Sequence, residues 1–271
     1  MMKTNTRPAR GSGRSVSFLG ALLFAAAFFA PVPEASAQAS DARAVLKSMA
    51  DYVSSQQTIE LTFDSDIEVI TPLMEKIQFA SSGDVLLSRP DRIRAHRVGG
   101  YADVSLFFDG KTVSILGNNL NGYAQFDAPG NVDHLIEVLR SGHGVALPGA
   151  DLLISDPYRV LVAGVKEAKH IGRGVIDGVE CEHLAFRNFD TDWQLWVEVG
   201  NTPVPRKLVI SSKTVNSAPQ YTLRVKSWKT GFLPAKNAFV FTPPAGATLL
   251  DHNALIDLDE LPQGSQTGEL Q

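Results

Sequence analysis

The chain has 271 residues, 44% of them hydrophobic and 20% charged, with a formal net charge of −4 and one cysteine. An acidic balance argues against nucleic acid as a partner, because phosphate binding needs a basic stripe. One cysteine makes no internal disulfide, and a zinc site would need several more suitable ligands near it.

Lys3, Arg7, Arg10 and Arg14 form a basic leader ahead of the apolar run VSFLGALLFAAAFFA, residues 16–30. The run is short for a bilayer span, Pro31 and Pro33 end it, and Ala35-Ser36-Ala37 supplies the small residues that signal peptidase requires. Residues 1–37 are therefore expected to be a cleaved signal peptide. A single domain over 38–250 and a loosely ordered acidic tail over 251–271 should follow. No Arg-Arg pair precedes the apolar run, so the general secretory route and a periplasmic location are expected. The cleavage site has no cysteine, which argues against a lipid anchor. Removing the leader's four basic residues and one acid from totals of 25 and 29 leaves 21 against 28, a balance of −7. No further run reaches transmembrane length.

Asp41 to Gln56 has helical spacing, with Asp41 as N-cap and Val45, Met49, Tyr52 and Val53 on one face. TIELTFDSDIEVI, residues 58–70, then alternates: Ile59, Leu61, Phe63, Ile67 and Val69 share one face, and Glu60, Thr62, Asp64, Asp66 and Glu68 the other. KIQFASSGDVLLS, DRIRAHRV, DVSLFFDG, KTVSILG and NGYAQFD continue as an antiparallel meander, with Asp109-Gly110 and Asn121-Gly122 as hairpin signals. NVDHLIEVLRSG, residues 131–142, reads as a helix. The loop GHGVALPGA and a short helix over 156–162 complete an insert that caps or plugs the sheet. Strands resume with EAKHIGRGVIDG, VECEHLAFRNF, DWQLWVEV, PRKLVISS and QYTLRVKSW, and FVFTPPAGA closes the ordered part. In DWQLWVEV the alternation places Trp193, Leu195 and Val197 inside and Trp196 outside.

The series GVIDGVECEHLAF, DWQLWVEVGNTPVPRKLVI, QYTLRVKSW and FVFTPPAGA resembles an uncharacterised family of predicted periplasmic proteins. That family is similar to the lipoprotein-carrier superfamily of LolA and LolB. The likeness covers roughly residues 40–250, and its most specific parts are the tryptophan hairpin ending in P-x-P-R-K and the closing F-x-F-x-P-P-x-G. The resemblance implies a mostly β (α+β) fold, a strongly curved antiparallel half-barrel with helices plugging its concave side. It also implies a concave face that accepts acyl chains or other hydrophobic ligands.

The chemistry-bearing residues point away from catalysis. Cys181 and His183 share a strand face opposite Leu184 and Phe186, where no pocket is expected. His143 lies in a glycine-flanked loop without a nucleophile motif, and a mobile lid or a connector is the expected role. The row Glu60, Asp64, Asp66 and Glu68 and the row Arg92, Arg94 and His96 read as solvated strand faces. What remains is the apolar wall. One meander supplies Leu61, Phe63, Phe79, Leu106 and Phe108, and the other supplies Leu184, Phe186, Trp193, Leu195 and Leu223. The expected function is therefore non-catalytic binding or carriage of a lipid or acyl chain, with no cofactor and no metal. The alternative is that helices 41–56 and 131–141 fill the concavity. The outer face around Trp196, Arg206 and Lys207 would then dock an envelope protein.

Overall fold

The computed structural model describes residues 34–251. The expected signal peptide up to residue 33 and the tail from residue 252 lie outside the described residues.

Alternation and turn chemistry build two meanders. The first contains β1 (Thr58–Ile70), β2 (Lys76–Ser88), β3 (Arg92–Gly99), β4 (Asp103–Phe108), β5 (Thr112–Gly117) and β6 (Gly122–Asp127). The second contains β7 (Glu167–Ile176), β8 (Val179–Arg187), β9 (Thr191–Glu198), β10 (Pro205–Ser212) and β11 (Gln220–Thr230). Antiparallel pairing of β1 with β11 joins them, and the short β12 (Thr248–Leu249) runs parallel to β6 at one edge, giving a single sheet of 12 strands. The β7–β8 turn shows the local logic. Asp177 and Gly178 both take positive φ, 49° and 82°, the combination that a two-residue hairpin turn needs to match strand twist.

α1 (Glu34–Ser55) starts upstream of the expected N-cap, so Asp41 sits inside the helix. The alanines at 35, 37 and 39 favour helix and carry it backwards. Its innermost residues are Ala42, Leu46, Met49 and Val53, each 0% exposed, and they bring α1 onto β7 with further contacts to β8 and β9. Val45 and Tyr52, expected on that face, flank it as half-buried residues.

The helix expected over 131–142 divides. α2 (Val132–Glu137) is capped by the Asn131 side chain, which accepts the His134 N–H at 2.9 Å. The chain then widens into a π-helical turn, Val138–Gly142. α3 (Pro157–Leu161) starts from Asp156, whose carboxylate accepts the Arg159 N–H at 3.1 Å, with Pro157 where a missing N–H costs nothing. FVFTPPAGA forms no strand. Phe239 is buried there, and Phe241 packs its ring 5.4 Å from Phe107 and 5.3 Å from Tyr123, covering the outer face of the first meander.

Candidate functional site

Register places the apolar side chains of both meanders on one face. Leu61 pairs with Val85, Val85 with Ala95, Ala95 with Leu106, and Leu106 with Ile115. On the other side of β1, Leu223 pairs with Leu208, Leu208 with Leu195, and Leu195 with Leu184. One step along, Phe186 stacks on Trp193 with ring centroids 4.0 Å apart, and the Trp193 indole N–H donates to Asn188 at 3.3 Å. The result is a continuous apolar wall on the concave side of the sheet.

The ten wall residues fall into three groups. Leu61, Phe108, Leu184, Phe186, Trp193 and Leu195 are buried in the core between sheet and helices. Phe63, Leu106 and Leu223 are half-buried and pack against that core. Phe79 stands apart, at the far end of β2, where its ring meets Tyr101 edge-on at 5.6 Å.

The centre of the wall is covered by the segment that follows the π-helical turn. In this strap Leu152, Leu153 and Ile154 belong to the core, and Val145, Leu147 and Ala150 pack against it. Gly149, at φ 84°, crosses so closely that a Cβ there would lie 2.9 Å from Leu223 Cδ2. Two polar fastenings hold the strap. Arg140 donates to Asp151 at 2.6 Å and to the Leu147 carbonyl at 2.9 Å. Asp133 of α2 accepts the Ser155 N–H at 2.9 Å and also bonds the Ser155 hydroxyl. The loop therefore lies packed on the apolar wall, with His143 resting on the Phe126 ring at 4.5 Å.

At the far ends of β1, β2 and β3 the same face changes character. A recess of 150 Å³ opens there, lined by Ile67, Phe79, Ser81, Arg97 and Tyr101 among others. The Ser65 and Ser81 hydroxyls share a hydrogen bond of 2.8 Å. Tyr221 lies opposite Ile67, at the next same-face position of β11 from Leu223, the partner of Ser65. Burial pushes the Tyr221 phenol above its ordinary range, against the opposing pull of the nearby Ser65 hydroxyl and of the Arg97 charge. Arg97 escaped the sequence reading. The signal was present: if Arg92, Arg94 and His96 share the wet face of β3, then Arg97 shares the dry face with Ile93.

The outer face carries polar architecture. Trp196 lies between the His183 ring, stacked at 4.1 Å, and Lys207, whose ammonium is 4.9 Å from the indole centroid. Burial, and then Arg224, hold the Lys207 ammonium below its usual range. Arg206 is committed to Glu198 by two hydrogen bonds, the longer 2.8 Å. His96 bonds Asp103 at 2.9 Å beside a recess of 270 Å³ formed with Asp84, Arg94, Ser105 and Phe107. Burial pushes the Asp103 carboxyl up, but bonds from His96 and Asn118 outweigh it and hold it below the usual range. Cys181 is buried, its sulfur donating to the Val179 carbonyl at 3.4 Å, and burial pushes its thiol up. Glu60 pairs with Lys229 at 3.6 Å and Glu68 with Lys76 at 3.0 Å, while Asp64 accepts from Ser82 at 2.6 Å. Among the described residues no group of three His, Cys, Asp or Glu side chains is placed to hold a metal. Nor is any described helix long and apolar enough to cross a membrane.

Comparison with known proteins adds a family. The family described as "Predicted periplasmic protein (DUF2092)" matches residues 42–251. No curated protein matches the chain. Among solved structures, the chain is similar to an uncharacterized conserved protein from Thermus thermophilus, with 11% identity and a TM-score of 0.47 over 78% of this chain and 98% of that one. It is similar to the MucA/MucB complex of Pseudomonas aeruginosa, with 15% identity and a TM-score of 0.43 over 74% of this chain and 61% of that one. It is also similar to the Mycobacterium tuberculosis lipoprotein LppX, with 11% identity and a TM-score of 0.37 over 72% of this chain and 98% of that one. With the family match running from within α1 to the end of the described residues, the chain belongs to the DUF2092 family of predicted periplasmic proteins.

Proposed function

We propose that this protein binds or carries a hydrophobic ligand, a lipid or an acylated chain, on its concave face, and does so without catalysis. The observation behind this reading is the strap. A curved sheet with a continuous apolar wall is closed at its centre by an irregular segment with glycines at positive φ, 66° at Gly144 and 84° at Gly149. Irregular, separately fastened segments open at lower cost than helices docked along their length.

Magnitudes set the ligand class. Leu152, Leu153 and Ile154 of the strap each gain about 1.5–3 kcal/mol by burial, and half-buried Val145 and Leu147 add less, roughly 6–12 kcal/mol together. An acyl chain gains about 0.8 kcal/mol per buried CH₂, so a long chain of about 16 carbons offers a comparable total. A small polar metabolite offers far less and would leave the strap in place. The ligand is thus expected to replace the strap on the wall.

The test is native mass spectrometry of the protein purified from the periplasm, with organic extraction and uptake of an acyl-chain fluorophore. A stoichiometric lipid-like adduct, reduced when Phe63 is made polar in a protein that still folds, supports the reading. A clean apo mass with no fluorophore uptake contradicts it. The second reading, a docking module for an envelope protein, draws on Trp196 held between His183 and Lys207 on the outer face. It predicts that Trp196→Ala abolishes partner binding. Arg206, engaged with Glu198, would take no part.

A further inference from the structure

A cation on the dry face of a sheet needs a reason. Arg97 lies in the concave row that runs from Phe63 through Gly83 and Arg97 to Val104. Alternation assigns such positions to apolar side chains, as it does for Ile93 and Ala95 on the same strand. The row is also arranged around it. Gly83 has no side chain, and a Cβ there would lie 2.6 Å from Phe63 Cζ, so the Phe63 ring covers the bare backbone beside Arg97.

The polar groups nearby converge at the same end of the wall. Ser65 bonds Ser81, and Ser81 and Arg97 line the recess together with Phe79 and Tyr101. Ser65 pairs in register with Leu223, the residue on which the strap glycine rests. A guanidinium and hydroxyls at one end therefore run directly into the apolar wall beneath the strap. The recess of 150 Å³ corresponds to about five water volumes, room for a carboxylate or phosphate group.

We propose that the recess around Arg97 is the headgroup end of the ligand site and selects an anionic amphiphile, an acyl chain that terminates in a carboxylate or a phosphate. The inference rests on the acyl-binding reading above and adds the chemistry of the head. Arginine presents a planar fork of donors to either anion, and the Phe79 and Tyr101 rings, edge-on at 5.6 Å, line the recess beside it.

The test uses the full chain and displacement of a neutral acyl-chain fluorophore by palmitate, methyl palmitate and lysophosphatidate. The anionic compounds should bind about 10–100-fold more tightly than the ester, as expected for charge-assisted hydrogen bonds. Whichever anion binds tighter identifies the head. Arg97→Gln should bring both anions to the ester's affinity and leave the ester unchanged, and Arg97→Lys should retain part of the preference. A large excess of inorganic phosphate should displace nothing. Equal affinity for palmitate and its ester, or an equal loss for all three ligands in Arg97→Gln, would overturn the headgroup site while leaving acyl binding intact. Displacement by inorganic phosphate alone would overturn the amphiphile. Binding of none of the three would overturn both readings.

Discussion

Where β8 and β9 pair, Leu184 faces Leu195, Phe186 stacks on Trp193, and α1 packs over that part of the sheet. Where β1, β2 and β3 pair at their far ends, the matching inward positions hold Ser65, Ser81 and Arg97, and the face opens on a recess. Both regions belong to one sheet and one face. The first has the apolar pairs and close ring stacking that fix a fold. The second keeps hydroxyls and a guanidinium in positions where stability alone would favour valine or leucine. The contrast separates the residues that hold the sheet together from those that the proposed ligand would meet.

The largest expected effect lies in the covered region. Leu195→Ala should cost about 2–5 kcal/mol and Phe108→Ala about 3–5 kcal/mol, both read from urea midpoints, because each side chain is 0% exposed. Phe79→Ala, at the open end, should cost less than about 1.5 kcal/mol, since the ring is only partly buried. Equal losses at Leu195 and Phe79 would erase the distinction between the two regions.

The strap lies between them. Gly149→Ala places a Cβ at φ 84° and 2.9 Å from Leu223 Cδ2, and should destabilise the segment by about 1–2 kcal/mol. Its fluorophore uptake should be faster than that of the parent protein. Slower uptake with unchanged stability would show that the strap does not compete with ligand for the wall.

The smallest effect lies on the outer surface. Asp177 is held below the usual carboxylate range by its bond to Lys226, with Arg224 adding to it. A depressed carboxylate stabilises the fold above its unfolded pKa of about 3.9, and that contribution disappears as pH falls through the lower folded value. All three side chains are more than a third exposed, so screening limits the effect to about 0.2–1 kcal/mol. Asp177→Asn should thus lower stability slightly at pH 7 and have no effect at pH 2, as followed by urea denaturation at both values.

Much of this was legible in the sequence. The periodicity of TIELTFDSDIEVI and DWQLWVEV fixed which side chains face inward, and the structure keeps Trp193 inside and Trp196 outside. The bounds of β2 and β10 coincide with the runs KIQFASSGDVLLS and PRKLVISS. The insert was harder. Helical spacing continues through Leu139, but the chain widens at Val138–Gly142, because Leu139 is buried and Arg140 turns to bond Asp151 and the Leu147 carbonyl. No local signal shows that GHGVALPGA lies on Leu208 and Leu223, since those partners lie 59 and 74 residues beyond Gly149 along the chain. Arg97 was hidden for another reason. Its strand carries four basic or imidazole groups in six residues, and only the register separates the inward one from the other three.

Hydrogen exchange across residues 143–154, with and without a saturating long-chain acyl ligand, tests the central claim most directly. Strap amides should exchange faster in the bound state, while those of β8 and β9 stay equally protected. A ligand that binds stoichiometrically and leaves strap protection unchanged or increased would contradict displacement of the strap from the apolar wall.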